Sequence, residues 1–380
     1  MSGRSLALTV SGFALIATCY GLARFAFGLF LPAISVDLAL SPSFGGVISG
    51  GSFLGYCLAI IVSAGMTERF GPRFVAGLAG CVATLGMVGI ALAPGGVALG
   101  AAVLFAGTST GLASPPLAAA VARRVAPERR DTVNTIVNAG ASGGVALSAP
   151  AALALGNDWR LAFTIFAGIA LLETVAVLLT TPGPGNAPAR GARGLPAMSG
   201  DLWRLVIAAL FMGAASTAVW SFGGELARRG LGWTSADVGT LWLTIGLVGL
   251  SGSLAGPLIR RFGLNPVHAG SLVLLAVGAL TVGMAANGPA VLVGGGVFGA
   301  AYMMLTGVYL VWGVRALPDR PATGLMLGFL AIAVGQVIGA PLFGMLLDSV
   351  GARPAAAVFA MAAIAGCVVF RREFPLARPA

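Results

Sequence analysis

Residues 64–73 read Ala-Gly-Met-Thr-Glu-Arg-Phe-Gly-Pro-Arg, and residues 256–265 read Gly-Pro-Leu-Ile-Arg-Arg-Phe-Gly-Leu-Asn. The two stretches share the core Arg-Phe-Gly at an offset of 192 residues, and each lies between two long apolar runs. An internal repeat at this offset, in a chain this apolar, predicts a membrane protein that consists of two related halves.

The composition of the chain excludes a soluble globular domain. Hydrophobic residues make up 58% of the 380 residues and charged residues only 9%, whereas a soluble domain carries about 25% charged residues. The net charge of +10 is the difference between 22 arginines and 12 acidic residues. Nearly all of the arginines lie in short gaps between apolar runs, and no nucleic-acid motif accompanies them. Cys19, Cys57, Cys81 and Cys367 lie inside apolar runs, which favours free thiols packed among helices.

The apolar runs predict twelve transmembrane helices, because about 20 residues are needed to span a bilayer. The predicted spans are 6–34, 44–66, 74–93, 96–121, 132–155, 160–181, 203–225, 236–259, 264–286, 289–313, 322–347 and 354–370. The segment after the sixth span is rich in Pro, Gly and Arg and too polar to cross the membrane. We therefore predict an all-α membrane protein with an N-terminal six-helix half (1–181), a cytoplasmic linker (182–202) and a C-terminal six-helix half (203–380).

The arginines predict the orientation. If the N-terminus is cytoplasmic, 17 arginines fall on the cytoplasmic side and four on the opposite side, while Arg24 lies within a span. Cytoplasmic loops of membrane proteins carry an excess of positive residues. Both termini are therefore predicted to be cytoplasmic, and the leading hypothesis places the protein in a bacterial inner membrane.

With twelve spans and the repeated loop, the chain resembles the transporters of the Major Facilitator Superfamily over its whole length. The family's loop motif between helices 2 and 3 reads G-x-L-x-D-R-x-G-R-R, and Glu68 stands at its Asp position. The matching positions in the two copies are Arg69, Gly71, Arg73, Arg261 and Gly263. The resemblance implies two pseudo-symmetric six-helix bundles with the substrate between them.

A second repeat supports the two halves. Residues 144–150 (Gly-Val-Ala-Leu-Ser-Ala-Pro) in span 5 correspond to residues 335–341 (Gly-Gln-Val-Ile-Gly-Ala-Pro) in span 11, at an offset of 191. The first copy resembles a degenerate form of the glycine–proline motif of the family's antiporters. Residues 21–32, together with Gly55-Tyr56, are similar to a bacterial branch labelled YbfB/YjiJ.

The loop motif predicts a conformational latch, made of Glu68 and the five matching positions above. A carboxylate near the start of helix 3 complements the helix dipole and can pair with an arginine. Such a cluster can join the halves on the cytoplasmic side and release them. The alternative is a static, solvated loop.

Arg24 is the sharpest candidate for substrate binding. It lies about 18 residues into the first apolar run, or about 27 Å along a helix, which predicts a position in the outer half of the membrane. A cation there needs a partner or a water-filled cavity, and a guanidinium suits a carboxylate held by two hydrogen bonds. The alternative is a structural arginine that pairs with a helix end or extends to the membrane surface.

Polar and aromatic residues on other spans complete the predicted substrate site, which suits a small organic molecule. They are Tyr20, Tyr56, Asn138, Trp220, Tyr302, Thr306, Tyr309 and Gln336. Polar stripes also occur where helices merely pack against each other.

Two acidic residues, Glu225 and Glu173, are candidates for proton coupling. Glu225 shares a helical face with Thr217 and Ser221 near the outer end of span 7. It either titrates, forms an outer gate with Arg24, or is solvated at the helix end. Glu173 lies deeper, in span 6, which the resemblance places at the periphery, so it is either a proton carrier or a residue off the path.

The sequence argues against an enzyme. His268 is the sole histidine, which excludes H-E-x-x-H zinc chemistry and His-based triads, and the absence of Lys excludes a P-loop. We predict a secondary active transporter that works by alternating access, is coupled to protons and moves a small organic anion. It is predicted to be a monomer without cofactor or metal. The alternatives are efflux of lipophilic compounds and a transporter-like sensor that moves nothing.

Overall fold

The structure is a computed structural model and describes residues 3–183, 198–318 and 320–370. In these ranges the regular secondary structure is helical throughout. The N-terminal helices are α1 Gly3–Asp37, α2 Pro42–Phe70, α3 Pro72–Ala91, α4 Gly96–Arg124, α5 Pro127–Leu155 and α6 Trp159–Thr180. The C-terminal helices are α7a Gly200–Trp220, α7b Gly223–Leu231, α8 Ser235–Phe262, α9 Leu264–Met284, α10 Gly288–Ala316, α11 Pro321–Ser349 and α12 Ala352–Gly366.

Among the described residues, eleven helices are long and apolar enough to cross a membrane, and α12 is apolar but shorter. Leu172 and Leu179 on α6 are 73% and 77% exposed, as expected for side chains that face lipid rather than a protein core. The prediction of an all-helical, multi-pass membrane protein is confirmed. Most of the predicted 182–202 linker lies outside the described residues, and α7a begins at Gly200.

Local sequence signals set the beginnings of the helices. Pro42 and Pro72 occupy the first turns of α2 and α3. The N–H groups of a first turn have no partner within the helix, so a proline there does not remove a helical hydrogen bond. Ser41 accepts a hydrogen bond from the Phe44 N–H ahead of α2. A capping box joins Thr234 and Asp237 at the start of α8, so the polar ends are satisfied before the chain enters the apolar layer.

The two copies of the Arg-Phe-Gly motif fold alike. Gly71 has φ 86° and ψ 159°, and Gly263 has φ 86° and ψ 162°. Each glycine ends one helix and begins the next, in a region of backbone space that is essentially restricted to glycine. The preceding arginine, Arg69 or Arg261, lies 5.1 Å from the ring centre of the phenylalanine that follows it. The sequence repeat is therefore also a structural repeat.

The halves meet along two helix pairs, α2 with α11 and α5 with α8. Small residues allow the close approach: a Cβ at Gly46 would lie 2.5 Å from the Ala340 oxygen, and one at Gly246 would lie 2.5 Å from the Ala146 nitrogen. These contacts bring the middles of α1, α2, α10 and α11 together at the centre of the bundle. We call the end of the bundle where α1 passes to α2 the α1–α2 end, and the opposite end the α2–α3 end.

Candidate functional site

Arg24 lies at the boundary between the two halves, and its side chain is buried. Its Nη2 atom donates a hydrogen bond of 2.7 Å to the Gln336 Oε1 atom of α11. Because Arg24 belongs to the N-terminal half and Gln336 to the C-terminal half, this bond crosses between the two bundles.

The depth of Arg24 differs from the sequence prediction. Tyr56 and Gln336, which surround it, each lie near the middle of a 29-residue helix. Arg24 is therefore at mid-depth, and the predicted position in the outer half is wrong. The reason is that α1 is 35 residues long, much longer than a bilayer requires, so a count from its first apolar residue overstates the depth.

Four aromatic rings surround the guanidinium. The Cζ atom of Arg24 lies 4.5 Å from the ring centre of Phe53, 4.9 Å from Tyr56, 5.2 Å from Phe25 and 5.8 Å from Tyr20. We call these four residues the Arg24 cage. Ring faces attract a cation through their quadrupoles, so the cage offsets part of the cost of holding this charge inside the membrane.

Gln336 is held in place by its own half. Its Nε2 atom donates hydrogen bonds of 3.2 Å to the Ser216 Oγ atom and of 3.2 Å to the Tyr302 Oη atom. With the amide nitrogen engaged there, the amide oxygen points to Arg24. Trp220 stacks on Phe25 at 4.2 Å between ring centres and continues the aromatic layer to Tyr302.

The site carries a positive charge without a carboxylate partner. Among the described residues, no Asp or Glu lies within 4 Å of the Arg24 guanidinium, and the buried Nε atom of Arg24 has no hydrogen-bond partner. A charged group inside a membrane protein usually pairs with an opposite charge or faces a functional cavity. The arrangement is therefore suited to binding an anion between the halves.

The backbone under Arg24 is unusual. Residues Ala17–Phe25 of α1 form a π-helix of nine residues between two α-helical segments. Such segments are rare and occur frequently at functional sites. The wider turn changes the direction of Tyr20 and Arg24 relative to an unbroken α-helix, and both side chains point to the boundary.

The structure gathers most of the predicted substrate-site residues around Arg24. They are Tyr20, Tyr56, Trp220, Tyr302 and Gln336. Together with Arg24, we call these residues the Arg24 cluster.

Among the described residues, no hydrogen bond or ring contact joins the other three candidates to Arg24 or Gln336. Tyr309 donates to the Ala208 carbonyl and contacts His268 inside the C-terminal half, so His268 lies at a helix interface. Thr306 bonds the Met303 carbonyl of its own helix, and Asn138 is exposed.

The acidic candidates are not next to Arg24. Glu225 is buried on α7b and pairs with Arg229 at 2.6 Å and with Arg228 at 3.6 Å. It therefore does not form the suggested gate with Arg24. The helix breaks after Trp220, so Ser221 and Glu225 do not lie on one continuous helical face. Glu173 on α6 has one buried oxygen, Oε1, without a hydrogen-bond partner.

The loop motif lies at the α2–α3 end. Arg73 donates a hydrogen bond of 2.8 Å to the Thr181 carbonyl at the end of α6, which ties the loop to its own half. Glu68, Arg69 and Arg261 are exposed. The latch between the halves stays a prediction.

Hydrogen bonds also join the halves toward the α1–α2 end. Ser49 and Ser221 are 2.6 Å apart through their hydroxyls, and the Trp242 indole donates to the Phe25 carbonyl at 3.3 Å.

At the rim of that end, the Ser43 N–H donates to Asp348 Oδ2 at 2.8 Å, and the Ser235 hydroxyl donates to Asn157 Oδ1 at 2.6 Å. The α1–α2 end is thus closed.

Sequence reasoning missed Phe25, Phe53 and Ser216. Phe53 precedes Tyr56 by three residues and so shares its helical face, a spacing that could have identified it. Ser216 precedes Trp220 by four residues in the same way. Phe25 is directed to the site by the π-helix, which sequence spacing does not reveal.

Comparisons with known proteins agree with this architecture. The family model described as Major Facilitator Superfamily matches residues 13–330. No curated protein is a significant match to the sequence.

Three solved structures share the fold at low sequence identity. A bacterial homolog of the human lysosomal transporter Spinster, in an inward-facing and unoccupied conformation, has a TM-score of 0.73 at 17% identity, with 97% of this chain and 95% of that chain covered. A mutant of the nucleoside transporter NupG has a TM-score of 0.76 at 11% identity, with 95% and 98% covered. A D-xylose-proton symporter has a TM-score of 0.77 at 18% identity, with 96% and 95% covered.

These likenesses establish the fold alone, and they do not identify the bacterial branch within the family. The family model extends over more than half of the chain. This protein therefore belongs to the Major Facilitator Superfamily and is a membrane transporter, not an enzyme.

Proposed function

We propose that this protein is a secondary active transporter for a small organic anion, and that Arg24 binds the substrate's carboxylate. One observation carries the proposal: a buried guanidinium at mid-depth, between the halves, has a neutral amide and four aromatic rings as neighbours. Transporters built from two repeats hold their substrate in this place. A cationic substrate would be repelled by the unpaired arginine, which disfavours efflux of lipophilic cations.

Transport by alternating access fits the closed α1–α2 end and the exposed loop motifs at the α2–α3 end. With the cytoplasmic N-terminus that the arginine distribution favours, the α2–α3 end faces the cytoplasm of a bacterial inner membrane. Closure at the α1–α2 end then fits an inward-facing state, in which the predicted latch at Glu68 and Arg69 would be released. The two loop copies would approach each other when the halves rock to the opposite state.

Proton coupling is part of the proposal, and the D-xylose-proton symporter is a coupled transporter of this fold. A buried oxygen without a hydrogen-bond partner occurs in both residues, Oε1 of Glu173 and Oε2 of Glu225. Glu173 is the better candidate for the proton carrier, because among the described residues no arginine forms an ion pair with it. Glu225 forms ion pairs with two arginines. These pairs explain why its carboxylate is buried, so its role is structural. Transport driven by an imposed pH gradient in vesicles, compared between the natural protein and Glu173→Gln, tests this part.

Uptake of radiolabelled organic anions into proteoliposomes tests the substrate proposal. Losing one partner of a buried charge pair costs about 3–5 kcal/mol, so Arg24→Ala should lower the affinity for a transported anion by at least about two orders of magnitude. Arg24→Lys should restore little, since an ammonium cannot form the two parallel hydrogen bonds. Arg353→Ala is the matched control, because Arg353 is exposed at the start of α12.

The alternatives give different results. A folded Arg24→Ala protein that transports its anion with normal affinity would remove Arg24 from the site and favour lipophilic efflux. A natural protein that binds anions but does not accumulate them would be a sensor.

A further inference from the structure

The hydrogen bond between Arg24 and Gln336 leaves one position of the guanidinium open. The Nε and Nη2 atoms form the edge of an arginine that binds a carboxylate through two parallel hydrogen bonds. Here Nη2 donates to Gln336 Oε1 at 2.7 Å, while the buried Nε has no partner. An amide has one oxygen, so Gln336 satisfies half of an edge that a carboxylate would satisfy completely.

The position of Gln336 is set from the C-terminal half. Its amide nitrogen donates to Ser216 and Tyr302, so the oxygen stays directed at Arg24. Gln336 is therefore a neutral internal ligand that occupies the guanidinium when no anion is bound. It also keeps the two halves joined at mid-depth.

The surroundings of this edge are flat and apolar. The rings of Phe53 and Tyr56 lie 4.5 Å and 4.9 Å from the Arg24 Cζ atom. The Phe25 ring lies 5.2 Å from the same atom and stacks on Trp220 of the C-terminal half. Aromatic rings attract each other through offset and edge-to-face contacts, in addition to the area that they bury. A substrate with an aromatic ring gains from these faces, and an aliphatic acid does not.

We propose that the substrate is a planar aromatic monocarboxylate whose carboxylate displaces the Gln336 amide from Arg24. This inference rests on the proposed function and adds two things to it: a chemical class, and a residue that competes with the substrate. Displacement replaces a direct contact between the halves by a contact through the substrate.

Ligand-induced thermal shifts of the purified protein test the proposal, since binding to the native state raises apparent stability. The probes are benzoate, the aliphatic carboxylate acetate and the neutral analogue benzamide. We expect the natural protein to bind benzoate at least tenfold more tightly than acetate, and benzamide not at all.

Substitutions of Gln336 show whether this residue competes with the substrate for Arg24 or only supports the structure of the site. Gln336→Ala removes the competitor and should bind benzoate as tightly as the natural protein or more tightly. Gln336→Glu supplies a permanent carboxylate and should weaken benzoate binding at least tenfold. Gln336→Met, of similar volume, replaces Gln336→Ala if that variant does not fold.

The outcomes are distinct. Equal weakening by the Glu and the Ala or Met substitutions would mean that Gln336 only supports the site, and would overturn the competition. Binding of acetate but not benzoate would overturn the aromatic class and leave the proposed function intact. Binding of benzamide as tightly as benzoate, or no binding of either carboxylate, would overturn both this inference and the anion proposal.

A separate observation concerns the rim of the closed end. Ser43 of α2 bonds Asp348 at the end of α11, and Ser235 of α8 bonds Asn157 after α5. Ser43 and Ser235 are 192 residues apart, the offset of the loop motif, and Asn157 and Asp348 are 191 apart, the offset of the second repeat. The two pairs are therefore equivalent by the internal symmetry, and each joins one half to the other.

We propose that these two pairs act as symmetric clasps that hold the α1–α2 end closed, and that the Asp348 clasp is the stronger. Asp348 accepts bonds from both the backbone N–H and the hydroxyl of Ser43. Its carboxylate also lies at the N-terminus of α2, where a negative charge is favoured. Asn157 supplies one neutral acceptor to Ser235.

Distance measurements between spin labels test the clasps without a substrate. Labels at Leu92→Cys and Ala286→Cys, in a protein whose four native cysteines are replaced by serine, report the separation of the halves at this end. Asp348→Ala should increase the population with a long distance, Asn157→Ala should increase it less, and the double substitution most. Ser349→Ala is the control, because the Ser349 hydroxyl bonds carbonyls of its own helix. An unchanged distance distribution in the double variant would overturn the clasps.

Discussion

At the scale of single residues, the absence of one Cβ determines how closely α1 approaches α7a. A Cβ at Gly28 would lie 2.0 Å from the Trp220 carbonyl oxygen, which belongs to the other half. The side chain of the same residue, Trp220, stacks on Phe25. The distance between the halves and the arrangement of the Arg24 cluster therefore depend on the same glycine.

We predict that Gly28→Ala destabilises the protein by about 1–3 kcal/mol, the usual cost of an inserted methyl group in a packed interior. The clash is with backbone, so a side-chain rotation cannot relieve it. Thermal unfolding of the purified protein measures the effect. Gly168→Ala is the control, because nothing lies within 4 Å of its Cβ position, and an unchanged unfolding temperature for Gly28→Ala would contradict the tight contact.

Much of the residue-level site could be predicted from the sequence, because charges, amides and tyrosines are rare in apolar spans. Arg24 and Gln336 stand out in this way, and the structure joins them. Tyr309 has the same composition signal, but its hydroxyl bonds Ala208 and His268 within one half. Tyr302 and Tyr309 are seven residues apart and share one face of α10, so neither hydropathy nor spacing could decide which of the two lies at the boundary.

At the scale of helices, the repeated turn is the element on which the fold depends most directly. Gly71 and Gly263 have nearly identical positive φ angles, and each connects two long helices without an intervening loop. We predict that Gly71→Ala and Gly263→Ala each destabilise the protein by about 1–3 kcal/mol, because only glycine adopts this conformation without strain.

Unfolding temperatures again provide the measurement. Gly65→Ala on the preceding helix is the control, since its Cβ position is open and alanine favours a helix over glycine. Equal effects of all three substitutions would show that the positive φ angles carry no special cost.

The number of helices and their repeat could be predicted, because the lengths of the apolar runs and the residues of the loops can be read directly from the sequence. The π-helix at Ala17–Phe25 and the break between Trp220 and Gly223 could not. Hydropathy depends on the side chains, whereas these features depend on which carbonyl each N–H reaches. Tertiary contacts decide that register, as at Gly21, whose Cβ position lies 2.3 Å from the Gly144 Cα atom.

At the scale of the whole molecule, the two ends of the bundle differ. The halves are joined at the α1–α2 end, and the loop motifs are exposed at the α2–α3 end. The clasps, the Ser49–Ser221 contact and the Gly28 contact lie on the α1–α2 side of the Arg24 cluster. These contacts block the path from Arg24 to the α1–α2 end. The physiological meaning of that closure depends on which side of the membrane each end faces.

The arginine distribution predicts that side. We expect a membrane-impermeant maleimide to label, in intact cells, a cysteine placed beside Asp158 or Gly232, which both lie in loops of the α1–α2 end. A cysteine beside Gly194, in the predicted cytoplasmic linker, should react only after the membrane is made permeable. The reason is that positively charged segments stay on the cytoplasmic side during insertion, and 17 arginines against four set a strong preference. A protein with the native cysteines replaced by serine provides the background. Labelling beside Gly194 in intact cells would reverse the orientation, and the closed α1–α2 end would then face the cytoplasm.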